Sequence, residues 1–310
     1  MVHCITRDSN KHHVSAHFVW PIFIAGSQVS PSAYRKLPTF FHICQTVQDV
    51  LKAAERASLV GLGGIILYEL LPEKSINASS SLSADSPLIH TLQAINHAFP
   101  ELVTIVDLCV CQYTHDSHCR IQNDEQQTIQ HLYQQATLLL EAGAKGLMPS
   151  GMIPLFSKKL RIWSNTQGLS TPFILSQTAK FHSPLFAPFR SSEGMNTGVD
   201  KSEYQLRPEQ HELALSFIEA ELDLGADCAL VKPGITYMEI LHQARAAQPK
   251  QKLGSFITSG EHEIMYSLAS SASKADPLYF LKSSTEYLLN SEIDVIVSYC
   301  ADRIVESLSR

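Results

Sequence analysis

What most restricts the fold of this 310-residue chain is a rhythm of short apolar runs separated by helix-period segments. The runs are FVWPIFIAG (18–26), GGIILYEL (63–70), LVTIVDLCV (102–110), GLMPSG (146–151), PFILSQ (172–177), CALVKPG (228–234), LGSFITSG (253–260) and DVIVSYC (294–300). Between them lie amphipathic stretches such as TIQHLYQQATLLLEAGA, HELALSFIEAELDLGA and PLYFLKSSTEYLLNSE. The first two end in Gly-Ala just before the next run, as a helix C-cap does. Eight strand-then-helix units predict a (β/α)₈ TIM barrel, a fold of ~250 residues before insertions. An open doubly wound sheet satisfies the same periodicity, which does not register closure. No linker marks a second domain. Residues 18–310 are therefore read as one barrel and the polar residues 1–17 as an N-terminal arm.

A formal charge of −6 leaves no polybasic footprint for nucleic acid or for a membrane surface. No apolar run approaches the ~20 residues of a membrane span, and the first residues show no apolar core of a secretory signal. Seven cysteines, an odd number with three of them clustered, point to reduced thiols and a cytoplasmic protein. Cys4, Cys44, Cys228 and Cys300 show no ligand spacing and are read as packing residues.

In a barrel of this kind the chemistry sits at the carboxyl ends of the strands. There the sequence places Asp107, Cys109 and Cys111, then Ser150, Lys180, Lys232, Ser259 and Tyr299. Lys232 is the sharpest case, because it ends the apolar run CALV and is followed by Pro-Gly. A strand-end lysine can lay its stem on apolar surface and keep its ammonium in water. A desolvated one has a lowered pKa and is a nucleophile toward carbonyls. The gathering of polar residues at one end of successive strands favours the second reading. Lys180, just past the end of the adjacent strand, would face Lys232, and two close ammonium groups disfavour double protonation.

DLCVCQYTHDSHC brings Cys109, Cys111 and Cys119 within eleven residues, with His115 and His118 alongside. Three thiolates form a zinc donor set that leaves a fourth position open. The C-x-C spacing is not that of structural zinc fingers, and free thiols in a loop fit the same residues.

Together, DLCVCQYTHDSHC, AKFHSPLFAPFR, LVKPGITYMEI, TSGEHEIM and VIVSYC resemble the porphobilinogen synthase (5-aminolevulinate dehydratase) family, from about residue 18 onward. The resemblance implies a (β/α)₈ barrel, an arm that wraps a neighbouring subunit, and a homo-octamer. It also implies the condensation of two 5-aminolevulinate molecules to porphobilinogen in tetrapyrrole biosynthesis. Lys232 and Lys180 then match the two Schiff-base lysines. Cys109, Cys111 and Cys119 match zinc ligands, with His118 a further candidate. Ser259 and Tyr299 match the hydroxyls on one substrate carboxylate, and Arg190 and Gln205 match groups on the other. Asp107 and Ser150 match polar groups near the reacting amines.

The chain also departs from that pattern. Where the family reads APSDMMDGR, this sequence reads MPSGMIPLF, so Gly151 replaces an acidic residue and Asp-Gly-Arg is missing. Phe186 and Phe256 stand where tyrosines are usual, and Phe217 where a magnesium-binding glutamate falls in many bacterial members. Lys201 aligns with a second carboxylate-binding arginine, for which lysine is not an equivalent clamp. The departures leave room for a paralogue acting on a related amino-ketone, or for an inactive zinc-holding homologue. An aldolase-type barrel using Lys232 alone would need neither Lys180 nor the cysteines.

Overall fold

The structure, a computed structural model, describes residues 14–26, 38–70, 73–192, 199–271 and 277–308. Its strands are β1 (Phe18–Ile24), β2 (His42–Cys44), β3 (Gly64–Glu69), β4 (Thr104–Leu108), β5 (Gly146–Pro149), β6 (Phe173–Lys180), β7 (Cys228–Lys232), β8 (Leu253–Phe256) and β9 (Val295–Val297). All pair in parallel, in the order β2-β1-β3-β4-β5-β6-β7-β8-β9, and β9 returns to β1 through Phe18 opposite Ile296. That pairing closes an eight-stranded barrel and rules out the open sheet. The short β2 was not anticipated. It lies beside the far end of β1, with Ile22 to Ile24 opposite His42 to Cys44.

The helices that follow the strands are α1 (Val47–Leu59), α2 (Pro87–Ala98), α3 (Glu125–Glu141), α4 (Phe156–Thr166), α5 (Ala187–Ser192), α6 (His211–Leu224), α7 (Met238–Ala247), α8 (Ser259–Ser271), α9 (Pro277–Asn290) and α10 (Ala301–Leu308). Local chemistry fixes their ends. Thr46 and Asp49 form a capping box at α1, and Ser86 and Asp124 cap α2 and α3. Gly143 and Gly225, the two Gly-Ala sites read as caps, have φ of 103° and 144° where α3 and α6 stop. The strands are buried along nearly their whole length, because helices cover one face and barrel packing the other.

One strand end differs from the sequence reading. The strand expected to end at 177 runs on to Lys180, with a register shift between Ser176 and Ala179. Lys180 is therefore the last residue of β6 and not a residue of the following loop. Most of the predicted arm, residues 1–13, lies outside the described residues. Its last four, Val14–His17, form a 3-10 turn, and His17 Nδ1 lies 3.0 Å from the Asp294 carbonyl oxygen. No helix among the described residues is long and apolar enough to cross a membrane.

Candidate active site

Lys180 and Lys232 are register partners at the carboxyl ends of β6 and β7. Neighbouring strands lie ~5 Å apart and register partners point to the same face, so the two side chains rise side by side into the barrel mouth. Lys180 is half-buried and donates from Nζ to the Ser150 carbonyl at 2.8 Å. Lys232 is 5% exposed, and among the described residues it forms no ion pair. Its ammonium lies 3.5 Å from the centroid of the Phe256 ring and 5.6 Å from those of Phe186 and Phe189. Burying an ammonium costs on the order of several kcal/mol, while an aromatic face returns about 2 kcal/mol. Burial wins, and with the Lys180 charge beside it the Lys232 amine is held well below the ordinary lysine range.

Gly234 lets the chain after Lys232 lie flat against β8, since a Cβ there would run into Ser255 Oγ and the Phe256 backbone. The loop is then held by Glu261, a residue the sequence reading did not single out. One carboxylate oxygen accepts from Ile235 N, Thr236 N and Thr236 Oγ1 at 2.8–2.9 Å. The other accepts from Thr258 N at 2.6 Å and Thr258 Oγ1 at 2.9 Å, a capping box at the start of α8. Glu261 thus joins the segment after Lys232 to the helix that begins with Ser259. Ser259 Oγ accepts from Phe189 N at 3.0 Å.

Asp107 is buried at the end of β4, and its Oδ1 has no hydrogen-bond partner. Burial pushes its carboxyl up to about 6, against the pull of the Lys180 and Lys232 ammoniums. Arg190, on α5, and Gln205 are also buried, and Arg190 Nη2 and Gln205 Oε1 are likewise unpartnered. Orphaned buried polar atoms at one barrel mouth are what a site awaiting a polar ligand shows. Tyr299 is buried against Phe23, Phe41 and His262. Phe186, one of the departures from the family pattern, lies 5.5 Å from the Arg190 guanidinium and 6.0 Å from Lys180 Nζ, ring centroid to charge.

The sulfurs of Cys109, Cys111 and Cys119 all lie within 4.8 Å of one another, and all three residues are buried. Cys109 and Cys111 are 3.4 Å apart at sulfur. Bonds from Cys109 and Cys111 hold the Cys119 thiol well below its usual range, so one thiolate is already favoured. Zinc–thiolate bonds of ~2.3 Å in a tetrahedron set sulfurs ~3.8 Å apart, so the cluster fits a soft divalent metal with little adjustment. His118 is not part of this group. Its Nδ1 lies 3.3 Å from the Tyr204 hydroxyl, which also accepts from Cys119 N. Lys201, expected on a substrate carboxylate, is 3% exposed with Nζ 3.6 Å from Cys119 Sγ. Gly151 adjoins the same cluster, and a Cβ there would sit 3.6 Å from Cys119 Cβ, an ordinary contact.

Paired lysines, one buried and one half-buried, beside a thiol cluster at the mouth of a (β/α)₈ barrel define a class: barrel enzymes built to handle carbonyl and amine substrates. The sequence profile of the delta-aminolevulinic acid dehydratase family matches residues 4–307, and the chain belongs to that family of lyases. Among its relatives, the delta-aminolevulinic acid dehydratase of Synechococcus elongatus is 26% identical over 93% of this chain and 90% of its own. That of Methanothermus sociabilis is 28% identical over 94% and 90%. The crystal structure of delta-aminolevulinic acid dehydratase (porphobilinogen synthase) from Toxoplasma gondii, in complex with the product porphobilinogen, superposes with a TM-score of 0.83. It is 24% identical and covers 94% of this chain and 84% of its own.

Proposed function

We propose that this protein condenses two molecules of 5-aminolevulinate to porphobilinogen with loss of two waters, through imines on Lys232 and Lys180. The register pairing of those two lysines carries the reading, because ring formation needs two identical substrates held in opposed roles. Lys232, the drier amine, attacks the first carbonyl carbon; a carbinolamine forms and loses water to give the iminium. Lys180 holds the second carbonyl in the same way. An iminium acidifies the neighbouring C–H, so a carbon nucleophile can form near neutral pH. Asp107 and the Ser150 segment lie beside Lys180 and hold or pass the protons. Ser259 and Tyr299 hold one carboxylate, and Arg190 and Gln205 the other.

Cys109, Cys111 and Cys119 would hold a zinc ion, which when bound supplies a Lewis acid that favours an unprotonated substrate amine. We further assign the chain to the cytoplasm, where thiols such as its six described free cysteines stay reduced. The assembly is a homo-oligomer, an octamer, with residues 1–17 as the arm that reaches a neighbour. No nucleic-acid or membrane partner is assigned.

The loss of two phenols at Phe186 and Phe256, both against Lys232, favours one second reading: the same imine chemistry on a related amino-ketone. Pyrrole formation from 5-aminolevulinate, with and without added zinc, decides between them. Zinc-dependent pyrrole supports the synthase. A borohydride-trapped adduct on Lys232 without pyrrole supports the amino-ketone reading, and no adduct at all overturns both.

A further inference from the structure

A cavity of about 320 Å³ lies outside the barrel wall, between β5, β6 and helices α3, α4 and α6. None of the residues assigned to the reaction lines it. Two departures from the family pattern meet there. Ile153, Pro154, Leu155 and Phe156, in the segment that replaces a charged one, form one wall, and Phe217 of α6 forms part of another. Met152 and Leu155, in the same wall, hold φ of 55° and 54° without being glycine. Such conformations cost free energy and collect where a fold shapes a ligand site. Gln177, 2% exposed, lines the cavity and leaves Oε1 without a hydrogen-bond partner, although its amide nitrogen reaches Met148 Sδ at 3.4 Å.

We propose that this cavity is a second binding site, taking a small neutral molecule that is largely apolar and carries one hydrogen-bond donor. Its volume is at the lower end of the range for small-molecule sites, enough for a fused bicyclic ring. The donor answers Gln177 Oε1, the acceptor left open. A cation is not called for. Glu221, the one acid in the lining, accepts from Ser157 N at 3.4 Å and Ser176 Oγ at 3.5 Å, and burial raises its carboxyl toward the neutral form. The Cys109–Cys119 cluster lies just beyond Gly151, which has no side chain to separate it from the cavity.

Indole and 1-methylindole differ by the single N–H donor and serve as probes. Titration calorimetry on the assembled protein is expected to show saturable indole binding, one per chain, with 1-methylindole about 10-fold weaker. Ala220→Trp, which fills the cavity from α6, abolishes binding and leaves assembly and pyrrole formation unchanged. Gln177→Leu, which keeps the volume, removes the advantage of indole over its methylated analogue. The proposal is overturned if indole does not saturate, if the two probes bind alike to the wild type, or if binding survives Ala220→Trp. It is equally overturned if Ala220→Trp breaks the assembly, because the cavity would then hold a neighbouring subunit's side chain.

Discussion

Lys201 and Cys119 face each other inside the protein, the lysine ammonium 3.6 Å from the cysteine sulfur and both residues almost fully buried. Three thiolates on a divalent metal carry a net charge of −1, and a buried lysine needs a compensating anion. Each answers the other. Lys201→Met should therefore weaken zinc binding by about 10- to 100-fold, the range for groups that support metal ligands. Lys201→Arg should restore much of it. Competition against a chelator of known zinc affinity measures this without recourse to activity.

Lys232 is expected to trade stability for reactivity. Its folded-state pKa lies below its unfolded value, so at neutral pH the unfolded chain binds the proton more readily than the folded one. Stability from this group accordingly rises with pH and is lower at pH 7 than at pH 9. Lys232→Met should raise stability at pH 7 by about 1 kcal/mol and reduce that rise, read by urea titration at the two pH values. The same variant should abolish turnover. Lys180→Ala should still trap a Lys232 adduct with borohydride while making no pyrrole.

Acid sensitivity should come in part from His262. This ring is fully buried on α8, with Nδ1 2.8 Å from the Thr258 carbonyl oxygen and Nε2 3.0 Å from Ser298 Oγ. Burial pushes its pKa down to about 4. Between the unfolded value near 6.5 and about 4 the unfolded state takes up the proton and the folded state does not, so stability falls as pH drops through that window. From pH 7 to pH 5 the loss from this one ring is about 2 kcal/mol. In His262→Gln the pH slope of the unfolding free energy should shrink by that amount.

Glu261→Ala would leave five donors without their acceptor and should cost about 2 to 4 kcal/mol. Because those donors belong to the loop after Lys232 and to the start of α8, the rate of imine trapping on Lys232 should fall with substrate affinity. Glu261→Gln, whose amide nitrogen would meet N–H groups, should rescue little. Unchanged trapping in a folded Glu261→Ala protein would show that the loop is held in place by other contacts.

The eight barrel strands were legible because strands buried on both faces read as unbroken apolar runs. β2 was not, because His42 to Cys44 is too short to show any period. The end of β6 was misplaced because Gln177 and Thr178 interrupt the apolar pattern where the register shifts. At the site, the cluster of cysteines and the two lysines stood out by type and position. The meeting of Lys201 with Cys119 did not, since 82 residues separate them. Glu261 left a local trace in Thr-Ser-Gly-Glu, a capping box spacing. Its hold on Thr236 is long-range, and nothing in local spacing announces it.

The closure of the barrel sets an order on synthesis. β1 leaves the ribosome before every other strand of the barrel, yet its partner on the closing side, β9, follows some 270 residues later. At about 5–20 residues per second that is a wait of many seconds. Cys109, Cys111, Cys119, Lys180 and Lys232 are all made within it, before the barrel can close. The three thiols proposed to share a metal are thus reachable by oxidants and by the wrong ions during translation. The reducing state of the surroundings matters most for the unfinished chain.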